Sequence, residues 1–357
     1  MAVDPARDDL DIPSNGMLGE LLRLAADDES GHRQLTLARA SRAAMFWPEE
    51  AATLAGEGRS LTELAGVGPW VGAQLHRWID EPPPAPEPDE TRVGYLTFAE
   101  VLRVLREDPA WETTPHGDLQ VHSTDSDGGL PLAEMAEAAR LEGRTFIAAT
   151  DHSRSLTIAH GQDGERLADQ GRRIDALNAA YAEGGGPFRV LRSIEMDVFE
   201  DGTADMATEE LAGLDLVLGA FHSKLRVRED ATPRYLAALR NPTVHVLAHP
   251  KARMYGRRAG LTADWTRVFA EAARLGKAVE LDATPYRQDL NVELATIAVA
   301  AGVKWFSMGT DAHSPDELAN LPFGMATAAL AGIRRDQVLI YRTAEQVRAW
   351  ARELRGR

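Results

Sequence analysis

The sequence predicts an α/β protein whose main domain is a parallel barrel of about seven β/α units, preceded by a small all-α domain. Three observations carry that expectation. From Asp118 onward, short apolar runs alternate with helical stretches, and regular β-then-α order builds a parallel sheet that closes at about this number of units. Those runs repeatedly end in His, Asp or Glu, in a chain with ten histidines. A Pro-rich stretch, Glu81 to Asp89, separates them from a region with helical periodicity alone.

Residues 1–15 are acidic, contain Pro and lack periodicity, so they are expected to form a disordered leader. Helical spacing starts after Met17, with Leu18, Leu21, Leu22 and Leu24, then Leu35, Leu37, Ala38 and Met45. Residues 61–75 read as a helix, a Gly66-Val67-Gly68 hairpin and a second helix opening at Pro69. That segment resembles a helix-hairpin-helix motif, and 16–80 is taken as its domain. The backbone amides near Gly66 and Gly68 would approach a nucleic-acid phosphate; the spacing equally fits a plain corner packing a small bundle. Trp47, Trp70 and Trp78 are read as that domain's core. Residues 81–92 form the linker and 93–357 the main domain, with an amphipathic helix over 95–107 packed on it.

Within the main domain, strands are expected near 118–122, 145–151, 189–198, 214–222, 243–249, 278–282 and 305–310. Helices are expected over 130–142, 164–183, 232–240, 262–275 and 290–301, and a last one capped by Thr343.

Composition narrows the chemistry. With no Cys in 357 residues, a transition metal would rest on imidazole and carboxylate alone. A net charge of -16 counts against a nonspecific polyanion binder, because such binding comes from Lys and Arg. A local positive strip or bound cations can still receive a phosphate. No apolar stretch reaches the roughly 18 residues of a membrane span. The acidic start is unlike a signal peptide, so the expected location is cytoplasmic.

In a parallel barrel, chemistry gathers at the carboxyl ends of the strands. There the sequence offers Gln120 and His122 with Asp127 beyond, Asp151 and His152, Glu195, His222, His249, Glu280 and Asp282, and Asp311 with His313. A buried ring of imidazoles and carboxylates is costly without compensating charge, which divalent ions supply. A polynuclear metal site is therefore expected. His245 should point into the barrel floor as a hydrogen-bonded core residue, and His32, His76, His116 and His160 are read as surface. Arg253, Arg257 and Arg258, helped by Lys224 and Lys251, are either a grip for a substrate phosphate or a solvated basic loop.

The runs Gly117-Asp118-Leu119-Gln120-Val121-His122-Ser123-Thr124, Thr150-Asp151-His152-Ser153, Ile194-Glu195-Met196-Asp197, Phe221-His222-Ser223, Val244 to Pro250 and Thr310-Asp311-Ala312-His313 resemble the successive motifs of the PHP (polymerase and histidinol phosphatase) phosphoesterases. Gly256-Arg257-Arg258 and Ala263-Asp264-Trp265 look like the PHP domain of bacterial family X DNA polymerases, whose N-terminal domain resembles the first eighty residues. The resemblance covers about residues 117–355. It implies a distorted (β/α)7 barrel holding two to three divalent ions, zinc, manganese or iron. The implied ligands are His122, Asp127, His152, Glu195, His222, His249, Asp311 and His313, with Glu195 bridging two ions. Gln120 stands where the first motif usually has His, and an amide oxygen is the weaker ligand, so one metal position is expected to be loose.

The implied chemistry is attack on phosphorus by water that the ions activate. Glu195, Asp311, Arg257 and Arg258 would form the catalytic set, and Asp151 or Glu280 would hold ligand imidazoles. No polymerase palm fits between the two domains, so no polymerisation is expected. No Lys precedes Lys224, which removes a Schiff-base lyase from the N-terminal domain. The expected function is a phosphoesterase acting on DNA ends, of 3′-5′ exonuclease or 3′-phosphatase type, with the hairpin domain docking DNA. The alternatives are a small-molecule phosphomonoesterase of the histidinol-phosphatase type and a nonenzymatic DNA-binding module with a decayed site.

Overall fold

Two compact units, Met1–Val104 and Leu105–Arg357, make up the chain in a computed structural model that describes residues 12–111 and 115–355. Of the expected leader, 1–11 lie outside the described residues. Ser14 already belongs to the fold: its Oγ accepts the Met17 N–H at 3.2 Å and caps the helix Asn15–Asp27.

The first unit is all-α. Helices Gly31–Ala44, Ala51–Gly56 and Pro69–Asp80 follow the first one, and Leu18, Leu22, Leu37, Trp47, Leu54, Leu61, Val71 and Leu75 are buried together. Trp47 Nε1 donates to the Ala65 carbonyl at 2.9 Å and so holds the Gly66-Val67-Gly68 turn from inside. Several expectations change here. Trp70 is 41% exposed rather than buried, and Leu24 and Leu35, which belong to the helical spacing, are 40% and 56% exposed. Leu24 lies six positions after Leu18, across the helix from the buried stripe. Trp70 sits in the first turn of its helix with the Arg33 guanidinium 5.4 Å above its ring. The first limb of the hairpin is a three-residue 3-10 turn, Leu61–Glu63, not a helix. The units also divide beyond the 81–92 linker, because Arg92 bonds back to Glu20 and the Phe98 N–H reaches the Met45 carbonyl at 2.8 Å. The helix Phe98–Glu107, expected to pack on the main domain, thus begins on the first unit.

Glu50 gives this unit a pH-dependent term. It accepts the Asn15 N–H at 2.7 Å, and burial pushes its carboxyl up to about 7, against the pull of that bond. A carboxyl whose folded pKa exceeds its usual 4.5 stabilises at low pH, and that contribution is lost as pH rises through about 7. Glu50→Gln is therefore expected to raise the thermal midpoint at pH ~8 and to leave it nearly unchanged at pH ~4. Calorimetry at both values checks this, and equal shifts would remove the burial argument.

The second unit is α/β, and among the described residues its named strands pair in parallel. Strands β1 (Gly117–Val121), β2 (Phe146–Ala149) and β3 (Arg189–Arg192) form one sheet in that order. Strands β4 (Glu195–Asp197), β5 (Leu218–Ala220), β6 (Val246–Leu247), β7 (Ala278–Asp282) and β8 (Phe306–Gly309) form the other. The single strand expected over 189–198 is thus broken at Ser193 and Ile194. Two parallel bridges, His152 to Glu195 and Val121 to Ala312, connect the sheets at both edges. Gly309 is required at the second: a Cβ there would stand 2.4 Å from Gln120 Cβ.

Helices 132–141, 164–183, 232–240, 265–275 and 292–300 separate the strands, within three residues of the expected bounds. Side chains of Asp163, Asp264 and Asn291 each accept a first-turn N–H at 3.0 Å, caps of about 1 kcal/mol apiece. Thr343 does the same for Ala344–Arg355, accepting from Gln346 N at 3.2 Å. Among the described residues, no helix is long and apolar enough to cross a membrane.

Candidate metal centre

Because every strand pair is parallel, the strands of each sheet deliver their carboxyl ends to one side. Alternation along each strand decides which residues turn inward together: Gln120 with His122, Glu195 with Asp197, and Glu280 with Asp282. His152, His222, His249 and Asp311 each follow the last residues of β2, β5, β6 and β8. His249 and Asp311 take φ of +24° and +53°, a left-handed backbone that a non-glycine residue keeps only where its surroundings impose it.

Glu195 is the centre of the cluster, with 1% exposure. Its Oε1 lies 3.0 Å from His222 Nε2 and 2.5 Å from His249 Nε2. Its Oε2 lies 3.1 Å from His152 Nδ1 and 3.5 Å from His122 Nε2. The His122 Nε2 atom also stands 3.0 Å from Asp311 Oδ1. Asp127 Oδ1 faces His313 Nε2 at 3.3 Å and His152 Nε2 at 3.6 Å. Three overlapping groups result, each compact enough to hold a cation: His122, Asp127, His152 and His313; His152, Glu195 and His222; His122, Glu195 and Asp311.

The arrangement fits a metal and fits poorly without one. Both ring nitrogens of His122, and Nδ1 of His152, His222 and His249, are buried without a hydrogen-bond partner, although carboxylates crowd around them. Unpartnered buried nitrogens are rare and costly. Converging imidazole and carboxylate lone pairs are the donor set that zinc, manganese or iron takes. In the protein alone, attraction between the rings and the acids compensates in part. Burial pushes Glu195 up, but His152, His222 and His249 more than offset it and hold the carboxyl well below its usual range. Burial lowers His222 and His313, yet Glu195 and Asp197 in one case, and Asp127 and Asp311 in the other, raise both rings to about 9.

All the metal-ligating residues expected from the sequence meet here. Gln120 is fully buried, and the amide orientation that satisfies both its ends donates to the Glu280 oxygens at 2.5 and 3.0 Å. In the other orientation its Nε2 donates to Asp311 Oδ1 at 3.4 Å. Burial, with Asp282 next, pushes the Glu280 carboxyl well above its usual range. His245 is the floor residue expected: Nδ1 accepts the Val217 N–H at 3.0 Å, and Arg355 Nε lies 3.2 Å from Nε2. His32, His76, His116 and His160 are exposed.

The arginines divide. Arg258 lines a depression beside His222, Arg257 is exposed on the same turn, and Arg253 is buried with 3% exposure. Lys224 pairs with Glu200 at 2.5 Å.

Asp151 and Glu280 do not hold imidazoles. Glu280 accepts the His249 backbone N–H at 2.8 Å. Asp151 accepts from Ser123 N and Oγ, both at 2.8 Å, from Ser126 Oγ at 2.5 Å and from Gln170 Nε2 at 2.6 Å. It therefore fixes the 123–128 loop that carries Asp127. Asp151→Ala is expected to weaken metal affinity by about 10–100-fold, the usual cost of losing such support, and titration of the metal-free protein with Mn²⁺ measures it. Unchanged affinity would make this network irrelevant to Asp127.

Two residues of the site were missed. Asp197 Oδ1 lies 3.4 Å from His222 Nδ1 and accepts the His222 N–H at 3.2 Å. Arg287 Nη2 lies 3.3 Å from Asp311 Oδ2 and Nε 3.7 Å from Asp282 Oδ2. Strand alternation from Glu195 would have found Asp197, whereas nothing local marks Arg287.

No family model matches the chain. Over 235 residues, 66% of its length, it is 38% identical to the DNA polymerase/3′-5′ exonuclease PolX of Bacillus subtilis (strain 168), of which it spans 40%. Over 238 residues, 62% of its length, it is 28% identical to a probable phosphatase of Syntrophotalea carbinolica, covering 90% of that protein. Among solved structures, the histidinol phosphate phosphatase of Lactococcus lactis, determined with zinc, L-histidinol and phosphate, is 16% identical with a TM-score of 0.44, over 62% of this chain and 94% of that one.

Proposed function

We propose that this chain, a homologue of PHP-type exonuclease and phosphatase proteins, is a metal-dependent phosphoesterase cleaving phosphodiester or phosphomonoester bonds at DNA ends. One observation supports it above the others: each carboxylate oxygen of Glu195 faces two imidazole nitrogens within 3.5 Å. A carboxylate shared in this way would help hold more than one cation, and paired cations supply the charge that stabilises attacking and leaving oxygens in phosphoryl transfer.

His122, Asp127, His152, Glu195, His222, His249, Asp311 and His313, with the Gln120 amide oxygen, would hold two to three divalent ions. Bound there, zinc, manganese or iron supplies Lewis acidity and neutralises charge on the phosphoryl oxygens. The other steps belong to the chain. Asp197 turns the His222 ring so that Nε2 faces Glu195. Arg287 holds Asp311 in place from its far oxygen. Arg258, which lines the depression with His222 and donates from Nε to the Ala252 carbonyl, would grip a nonbridging phosphate oxygen, with Arg257 exposed on the same turn.

In this reading the eight strands act as a distorted (β/α)7 barrel, β3 and β4 serving as halves of one strand. The two bridges between the sheets support that closure. Residues 16–80 are the helix-hairpin-helix module and dock DNA through the amides near Gly66 and Gly68; Gly68 is exposed and directly precedes the Pro69–Asp80 helix.

A small-molecule phosphomonoesterase is the second reading. The net charge of -16 opposes a polyanionic substrate, and the phosphatase match covers 90% of that relative against 40% of the polymerase. End-labelled single- and double-stranded DNA and histidinol phosphate, each with Mn²⁺ and with chelator, separate the two. Metal-dependent shortening or dephosphorylation of DNA 3′ ends supports the first. Release of phosphate from histidinol phosphate alone supports the second, and turnover of neither overturns both.

A further inference from the structure

Next to the metal cluster the surface opens into a depression of about 490 Å³, lined by His222, Lys224, Leu225, Arg226, Val227 and Arg258. That is within the size range of small-ligand sites. One wall is shared with the cluster, since His222 Nε2 also contacts Glu195 Oε1 at 3.0 Å. The other walls come from the loop after β5 and from the Met254–Arg258 turn after β6.

Three of the six lining residues are cations, in a chain whose net charge is -16. The lining itself is thus richer in cations than the chain as a whole, and exposed cations attract anions. Lys224 has φ +53°, so the backbone turns sharply just past His222, a conformation rare for a residue with a side chain. Its ammonium meets Glu200, but the two side chains are 62% and 52% exposed. An ion pair that open contributes little and exchanges readily for a phosphate. Arg226 is exposed, while Leu225 and Val227 alternate with the cations and are half-buried. An apolar floor between positive ends matches a sugar or base flanked by phosphate, and a lone phosphate would leave most of it unused.

We infer that this depression is a subsite for the phosphodiester one unit away from the bond that is cut, with the intervening nucleoside on Leu225 and Val227, so that the site prefers a nucleotide chain to an isolated phosphate monoester. The inference rests on the phosphoesterase reading of the neighbouring cluster.

The test uses the full chain carrying Lys224→Ala together with Arg226→Ala, loaded with Mn²⁺. The substrates are fluorescein-labelled d(T)10 and p-nitrophenyl phosphate, which has no second phosphate. The kcat/KM ratio of oligonucleotide to monoester is expected to fall about tenfold, mostly through KM, as two charge-assisted contacts are lost. The slope of log affinity against log salt should shrink by roughly 0.7 for each cation removed. An unchanged ratio, whether both rates fall together or neither moves, overturns the subsite. Anisotropy of the same labelled d(T)10 in chelator reads binding without turnover. If wild-type protein cleaves neither substrate, the phosphoesterase reading fails and the subsite with it; if it cleaves, a tenfold weaker Kd in the variant supports the subsite and an equal Kd overturns it.

Discussion

Glu195→Gln is expected to strip the bound divalent ions and to lower kcat by at least about 10³-fold, beyond the 10–100-fold that loss of a supporting residue costs. The reason is geometric. Four imidazole nitrogens stand within 3.5 Å of the two oxygens of one carboxylate, and Gln offers a single, neutral oxygen in place of the pair. An amide NH2 on the other side would point a donor at atoms arranged to surround a cation, so the substitution adds a repulsive contact as well as losing an attractive one. Elemental analysis of the purified variant and its turnover on d(T)10 and histidinol phosphate measure both effects, with circular dichroism showing that the fold persists. Wild-type metal content in the variant would mean that Glu195 is not the bridge. Gln120→His makes the reverse comparison at the edge of the same cluster, where an imidazole replacing the amide should bind its ion more tightly.

Much of this site was legible because its parts are local. A run such as Leu119-Gln120-Val121-His122 declares a strand by alternation and a ligand by its last residue, with no knowledge of what lies opposite. The same logic located His152, His222, His249 and Asp311, and helix bounds such as Gly164–Glu183 follow from caps that sit in the sequence. What escaped depends on three-dimensional context. The break between β3 and β4 is hidden in the stretch Val190-Leu191-Arg192-Ser193-Ile194, which has no Gly or Pro to mark it. Trp70 has core chemistry but the wrong position on its helix, so composition put it inside and register puts it out. Asp151 and Glu280 were placed correctly and given the wrong partners, because a carboxylate beside a ligand loop serves backbone N–H and hydroxyl groups as readily as imidazoles.

Arg287 is the largest omission, and it carries the second strong expectation: Arg287→Ala should lower kcat/KM by about 10²-fold and destabilise the second unit by about 3–5 kcal/mol, the cost of removing one partner from a buried charge pair. Its side chain is 19% exposed and lies between Asp311 and Asp282, whose side chains are 4% and 0% exposed. Burial opposes its charge, but Asp311 and then Asp282 hold the guanidinium protonated throughout the accessible range. Burial pushes Asp282 well above the usual carboxylate range, Asp311 adds to that, and Arg287, then the hydrogen bonds from Thr284, oppose both. Without it two carboxylates share one pocket and Asp311 loses the contact that aims its other oxygen at His122. Lys cannot make the same two contacts from a single ammonium, so Arg287→Lys should recover stability only in part. The double variant Arg287→Ala with Asp282→Asn separates the two roles, since it relieves the repulsion while leaving Asp311 without its anchor. Thermal midpoint regained with kcat still depressed identifies Arg287 as the residue that positions Asp311; recovery of both together reduces it to charge balance, and a wild-type midpoint in Arg287→Ala alone would dismiss the pair altogether.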